Sequence, residues 1–472
     1  MVSNRKTQFS VGSILKLNFW LIVLSLTLLR LPIALGYRTD LNYLYLGIIP
    51  YIWGILVNVA FLKHNNSKIP VNKRFLLLVS LFFVIWLVAF LRSAFRDFSY
   101  GTFYILSLVV TLAIFGIFLF LAFRIGALQS RISELKKAVV LSLGFYVMSN
   151  LIFFLVGIIP PDTIYLTDFP AQILSMIGIK THRVLFPMTS GINYYGSLVG
   201  VTLLGLSLIL KIAVSRFEKL VIILMILSCF ISLFLVDSRG AIIITCISIL
   251  MAILPWKVFL IARWFPFFLS TIIVVAFTFI PGFLEDPMSK LNRPELEMKT
   301  ENSSTAESDC NLFNKNTSGV LSNRPIIWKA GFDELSNFKP IHLIGYGFRG
   351  QVASGVSRNY VCLFTSIVIS EFASLHNIWL QTIIDVGYLG LIITITLLIS
   401  LLVWVCQRLS TRFNHYDYAL LCMMLMIISI GTLEASFQPD FQELFIFLFF
   451  LLISQVYVDQ PHKQINSILE IN

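Results

Sequence analysis

In the stretch ASLHNIWLQTIIDVGYLG, residues 373–390, an imidazole and a carboxamide stand where a polar segment gives way to a long apolar run. Imidazole is the side chain suited to take up a proton near neutral pH, so His376 is the first candidate for a catalytic base, with Asn377 beside it as a supporting group. A structural His that caps or hydrogen-bonds the helix start is the plain alternative. Two arginines ask for a different chemistry. In LFLVDSRGAIIITC, Arg239 sits with Asp237 in a hairpin so tight that the guanidinium must lie at a membrane face between two helices. A planar cation there is suited to hold a phosphate in bidentate geometry, or else it snorkels to lipid headgroups or pairs with Asp237. Arg324, in SNRPIIWKAGFDEL, carries the same two readings, anion binder or solvated arginine. Glu434 and Asp440 bracket a later hairpin and Glu443 begins the last apolar run; they are read as solvated loop acids, with binding of sugar hydroxyls as the alternative.

The elements that must position these groups are membrane helices. The chain has 472 residues, of which 57% are hydrophobic and 12% charged, a balance that belongs to polytopic membrane proteins. About twelve apolar runs approach the roughly 20 residues that a spanning helix needs. They lie near 17–36, 41–62, 75–95, 103–123, 138–159, 192–214, 219–236, 240–254, 259–281, 376–403, 416–433 and 441–458. None alternates as the strand of a membrane barrel does, so the expectation is an all-α polytopic protein. Three parts follow: membrane helices in 1–281, one large extracytoplasmic loop in 282–375, and membrane helices in 376–472.

Lys and Arg gather in the loops on one side, among them Lys63, Lys73, Arg124, Lys136, Lys211, Lys257 and Arg408. That bias predicts both termini in the cytoplasm and explains the formal charge of +11 as a topogenic signal, with no call for a nucleic-acid partner. The first run is read as an uncleaved anchor; a cleaved signal peptide ending near Ala34-Leu35-Gly36 is the competing reading.

On the other side, AQILSMIGI within the 160–191 loop fits a segment lying flat at the interface. The polar run near 285–320 lacks apolar periodicity and is read as irregular. From Arg324 a short amphipathic surface helix is expected, with Pro325 in its first turn and Ile326, Ile327, Ala330 and Leu335 as its apolar stripe. LIGYGFRG supplies Gly345, Gly347 and Gly350, which fit a glycine turn closing the loop better than a dinucleotide site, because no strand-helix-strand unit surrounds them. Gly387 and Gly390 would let another helix approach closely. Cys229, Cys246, Cys406 and Cys422 fall in or beside apolar runs, and no metal spacing joins the cysteines. Cys310 and Cys362 share the large loop, where a disulfide and two free thiols are both open readings.

The order DSRGA, RPIIW, GYG and HNIWLQTIIDVGYLGL, preceded by TSGINYYGSLVGVTLL and set on about twelve spans, resembles the O-antigen ligase and O-antigen polymerase superfamily over roughly residues 190–395. The first five helices share only its hydropathy. The resemblance implies a GT-C-like helical fold in the bacterial inner membrane, with a site facing the periplasm or exterior. It implies an undecaprenyl-diphosphate-linked glycan donor, a glycan acceptor, membrane lipid around them, a chain-length regulator as a further partner, and neither metal nor cofactor. It assigns Arg239 and Arg324 to the donor diphosphate and His376 to activation of the acceptor hydroxyl; the insertion near 285–320 departs from the family pattern just before Arg324. Gly387, eleven positions after His376, fits a spacing described for the polymerases. A polymerase of lipid-linked repeat units is therefore the first expectation, a ligase onto lipid A core or a protein the second, and a transporter or flippase without covalent chemistry the third. Inversion by single displacement is expected; a retaining route would need a carboxylate nucleophile, for which Glu371 and Asp385 are nearest.

Overall fold

The computed structural model describes residues 11–34, 46–64, 71–96, 102–157, 164–165, 182–189, 191–236, 238–253, 324–360, 374–432, 434–435, 438–439 and 442–457. Backbone in lipid must satisfy its own hydrogen bonds, and the apolar runs accordingly become helices. The first group is α1 (Val11–Ala34), α2 (Ile49–His64), α3 (Lys73–Arg96), α4 (Thr102–Leu128), α5 (Ile132–Leu155), α6 (Ile192–Leu210), α7 (Arg216–Val236) and α8 (Arg239–Ile253). Between α5 and α6 the two-residue strands β1 (Ile164–Tyr165) and β2 (His182–Arg183) pair antiparallel, Ile164 opposite Arg183. The loop segment supplies α9 (Arg324–Ser336) and the single turn α10 (Gly350–Ala353); α11 (Ile378–Thr411), α12 (His415–Gly431) and α13 (Glu443–Val456) complete the chain.

Every expected span but one coincides with a helix; the run near 259–281 lies outside the described residues, as do the 171–179 segment and the polar run near 285–320. Among the described residues, eight helices are long and apolar enough to cross a membrane. α12 and α13 are shorter, 17 and 14 residues, and every residue of α13 is buried. Helices that are apolar all round and short belong inside the protein, where they need not match the bilayer by themselves. α3 and α7 are the opposite case. Leu77, Leu81, Val84, Leu87, Val88 and Leu91 of α3 are exposed, and so are Leu220, Leu224, Leu227, Ile231 and Phe234 of α7, giving each helix a face for lipid.

α6 holds the centre by being thin. A Cβ on Gly200 would meet Thr245 of α8 and the Met426 methyl of α12, so the missing side chain is what lets three helices converge. Several buried polar groups are paired between helices. Asn18 and Asn58 exchange amide hydrogen bonds at 3.0 and 3.1 Å between α1 and α2. Arg30 of α1 meets Glu443 of α13 at 2.9 Å, and the Tyr146 hydroxyl of α5 donates to the same carboxylate at 2.9 Å. Glu443 is thus a buried partner of an arginine, contrary to the expectation of a solvated acid, because its helix begins inside the bundle.

The ends of the helices define two faces. The C-terminal end of α3, the start of α11 and the end of α12 lie with the 324–360 segment on what is here the loop face. The starts of α5 and α12 and the ends of α11 and α13 lie on the opposite face, tied through Lys136, Asp417, Arg408 and Gln455.

Candidate functional site

The site is built on a break in α11. Gly387 has φ 74° and ψ −177°, outside helical space, and splits the helix into a short half carrying residues 378–386 and a long lipid-facing half. Only glycine adopts this φ without steric cost, and a Cβ there would strike the backbone of Leu343. At the break, the carbonyls of Ile384 and Asp385 turn to the loop. The Tyr346 amide donates to Ile384 at 2.8 Å and the Gly347 amide to Asp385 at 2.9 Å. From the other side α3 closes the clamp. Arg92 donates to the Gly345 carbonyl at 2.6 Å, Arg96 to that of Tyr346 at 2.8 Å, and Ser93 to that of Phe348 at 2.8 Å. The expected glycine turn is present, with φ 74° at Gly345 and 99° at Gly347. The expected partner of Gly387 is corrected: the loop, not a helix, sits against it, while Gly390 faces Ile85 of α3.

Asp385 organises this junction. One oxygen accepts from the Gly350 amide at 2.7 Å and from Gln381 at 2.9 Å; the other accepts from Gln438 at 2.6 Å. Gln381 in turn accepts from the Leu375 amide at 2.9 Å. Asp385, fully buried and engaged by three donors, serves as a structural tie at this junction; Glu371, the other acid named for a retaining route, lies outside the described residues.

The tie fixes the residues that precede α11. Asn377 is the N-cap, its side-chain oxygen accepting from the amides of Trp379 and Leu380 at 3.0 and 3.1 Å while its nitrogen donates to the Thr432 carbonyl at 3.1 Å. His376 is held at φ 48°, a left-handed conformation uncommon outside glycine. Its Nδ1 lies 2.9 Å from Oε2 of Glu434. The other oxygen of Glu434 accepts from Arg324, at the first turn of α9. Glu434 therefore joins the two residues that the sequence singled out, across 58 and 110 positions of chain.

Exposure runs in a useful order through this group: the side chains are 9% exposed in Glu434, 15% in Arg324 and 27% in His376. The carboxylate is at the back and the histidine at the front. Burial alone would push the Glu434 carboxyl up, but the Arg324 guanidinium and His376 outweigh it and hold the group below the ordinary glutamate value of 4.5. A carboxylate accepts only, so the Nδ1 nitrogen carries the proton, and Nε2 is then the basic nitrogen of the ring. That tautomer is the one suited to receive a proton from a hydroxyl.

α9 reaches this point by packing. Ile327, Trp328 and Ala330 are buried, and Gly331 faces Leu375 and Leu380, so the helix lies across the start of α11. Its far end is stapled by Glu334, which accepts from Lys339 and from the Tyr346 hydroxyl and lies 3.3 Å from His342. Burial would raise the Glu334 carboxyl, and these hydrogen bonds bring it below its usual value instead.

Of the sequence candidates, His376, Asn377, Arg324 and Gly387 are brought together here. Arg239 is the first residue of α8, whose Thr245 packs beside α6 opposite Met426; its side chain, together with Asp237, lies outside the described residues. Cys310 and Cys362 also lie outside them, as does Asp440, while Cys229, Cys246, Cys406 and Cys422 form no disulfide with one another. Glu434 overturns the reading of a solvated acid. Nothing local in EASFQPD marks it, because its partners come from distant segments. Among the described residues no group of three or more His, Cys, Asp or Glu is placed to hold a metal ion.

Residues 220–395 match the family model described as O-antigen ligase. The matched region runs from α7 through the loop into α11, takes in Arg239, Arg324, His376 and Gly387, and stops before Glu434. No curated protein matches the chain.

Proposed function

We propose, for a chain that carries a region of the O-antigen ligase and polymerase superfamily, that it joins glycan repeat units linked to undecaprenyl diphosphate into a longer surface polysaccharide at the outer face of the bacterial inner membrane. The observation that carries this reading is the convergence of His376 and Arg324 on one buried carboxylate at the mouth of a membrane helix. In this reading the loop face is the outer face and both termini are cytoplasmic.

The acceptor hydroxyl passes its proton to Nε2 of His376 as its oxygen forms a bond to the anomeric carbon of the donor. The bond from that carbon to the diphosphate breaks, its electron pair stays with the leaving oxygen, and the anomeric centre inverts. Arg324, held by Glu434, meets the developing charge as a preorganised cation, the part a metal ion plays elsewhere, and Arg239 supplies a second positive charge. Asn377 keeps the histidine at the helix mouth, and Gly387 lets the loop that carries Arg324 close on it.

A ligase that moves a finished glycan onto lipid A core or a protein is the second reading, favoured by the description of the matched family. The glycan profile of the native host lacking this protein separates the two. Single repeat units on the acceptor, with the ladder lost, are expected for a polymerase; long chains stranded on the carrier lipid would establish the ligase. Rescue of either defect by His376→Ala as well as by wild type would overturn the assignment of glycosyl transfer to this site.

A further inference from the structure

We infer that Glu434 is the positioning residue of this site: it holds His376 in the tautomer with the proton on Nδ1 and, through its second oxygen, fixes the Arg324 guanidinium beside it. This role deepens the glycosyl-transfer reading and rests on it for its effect on turnover, though not for its effect on the histidine itself.

The geometry leaves the carboxylate little other work. Glu434 is 7% exposed, at the back of the group, and too enclosed to reach a bulky glycan. Its two oxygens are divided, one accepting from Arg324 and one facing Nδ1 of His376. Neither partner lies in the interior of a regular helix. His376 precedes the N-cap of α11 in a left-handed conformation, and Arg324 is the first residue of α9. A histidine outside the helix has rotational freedom about its side chain, and both neutral tautomers are open to it unless one ring nitrogen is given a fixed acceptor. Glu434 supplies that acceptor. The same carboxylate balances the charge of Arg324 and directs one edge of its fork, which leaves the remaining donors oriented together. The segment bearing Glu434 is itself anchored. Asn377 donates to Thr432, two residues before it, and Gln438 donates to Asp385, four residues after it. Histidine, arginine and carboxylate are therefore bonded into one assembly.

The test uses the full-length protein in lipid nanodiscs, labelled with 15N-histidine, the His376 signal identified by its loss in His376→Asn. Wild type is expected to show the proton on Nδ1, and Glu434→Ala to move His376 toward the Nε2-protonated form. An unchanged tautomer in a folded Glu434→Ala protein overturns the inference, whatever the protein catalyses. Glu434→Gln keeps the size but offers one oxygen in place of two, so one partner loses its acceptor. With lipid-linked glycan isolated from the host as donor, kcat is expected to fall about 100-fold in Glu434→Gln. The donor KM is expected to change by less than about 3-fold, and Glu434→Asp, which retains both oxygens, to recover part of kcat. Equal loss in the Asp and Gln variants, or a change confined to KM, would also overturn it. Absence of transfer by wild type in the same assay would count against the glycosyl-transfer reading and leave the tautomer result to decide on Glu434.

Discussion

The two faces of the bundle each carry a three-residue ionic group, and they are built to opposite ends. On the opposite face, Lys136 meets Asp417 at 2.6 Å, Arg408 meets the other oxygen at 3.3 Å, and Arg408 also donates to Gln455 at 3.2 Å. The Lys136 and Asp417 side chains are 1% and 3% exposed. Each residue belongs to α5, α11, α12 or α13, so the group ties helices together. On the loop face a single carboxylate again serves two partners, but Arg324, His376 and Glu434 come from a helix start, a left-handed residue and a loop, and the histidine is the most open of the three. The first group buries its charges between helices. The second holds a titratable base at the edge of the protein.

If that contrast is right, substitutions on the two faces fail in different ways. His376→Ala is expected to lower glycosyl transfer about 1,000-fold, and Arg239→Ala to abolish it, while both proteins remain folded in the membrane; normal glycan from either would dissolve the distinction. Lys136→Met should act through stability, costing about 3–5 kcal/mol by leaving Asp417 buried without its closest cation. Thermal aggregation of the purified protein would read this as a lowered midpoint, and Lys136→Met with Asp417→Leu should recover much of the loss. Gly387→Ala falls between the two kinds. It should cost about 1–3 kcal/mol in backbone strain and also reduce turnover, since it disturbs the half-helix beneath His376; unchanged stability and activity would show that the break is not needed.

The smallest effect concerns pH. The folded-state value of Glu434 lies below its ordinary one, so its ionised form stabilises the fold above the ordinary glutamate range, and that contribution is lost as pH falls through the depressed value. Wild type should therefore lose thermal stability on acidification through that window, and Glu434→Gln should lack this component. An identical pH dependence in both proteins would mean that Glu434 is not held by Arg324 and His376.

The helices were legible because apolar runs of spanning length have few other fates, and His376 and Arg324 because their types stand out at the ends of such runs. The break at Gly387 was only half legible. A glycine in a helix announces freedom, but its partner is backbone from residues 343–347, and pairing between backbones leaves no side-chain signature. Glu434 was hidden for a related reason. An acid in a polar hairpin looks solvated until the chain folds a helix start and a distant histidine over it.

The break in α11 also divides the molecule mechanically. Residues 378–386 are bonded to the loop through the carbonyls of Ile384 and Asp385 and to α10 through the Asp385 side chain, whereas the rest of α11 runs along lipid through Leu389, Ile392 and Ile399. The short half is thus a lever belonging to the loop, with its pivot at Gly387. A movement of the loop would therefore reach His376 through this half, ahead of the long half of the helix.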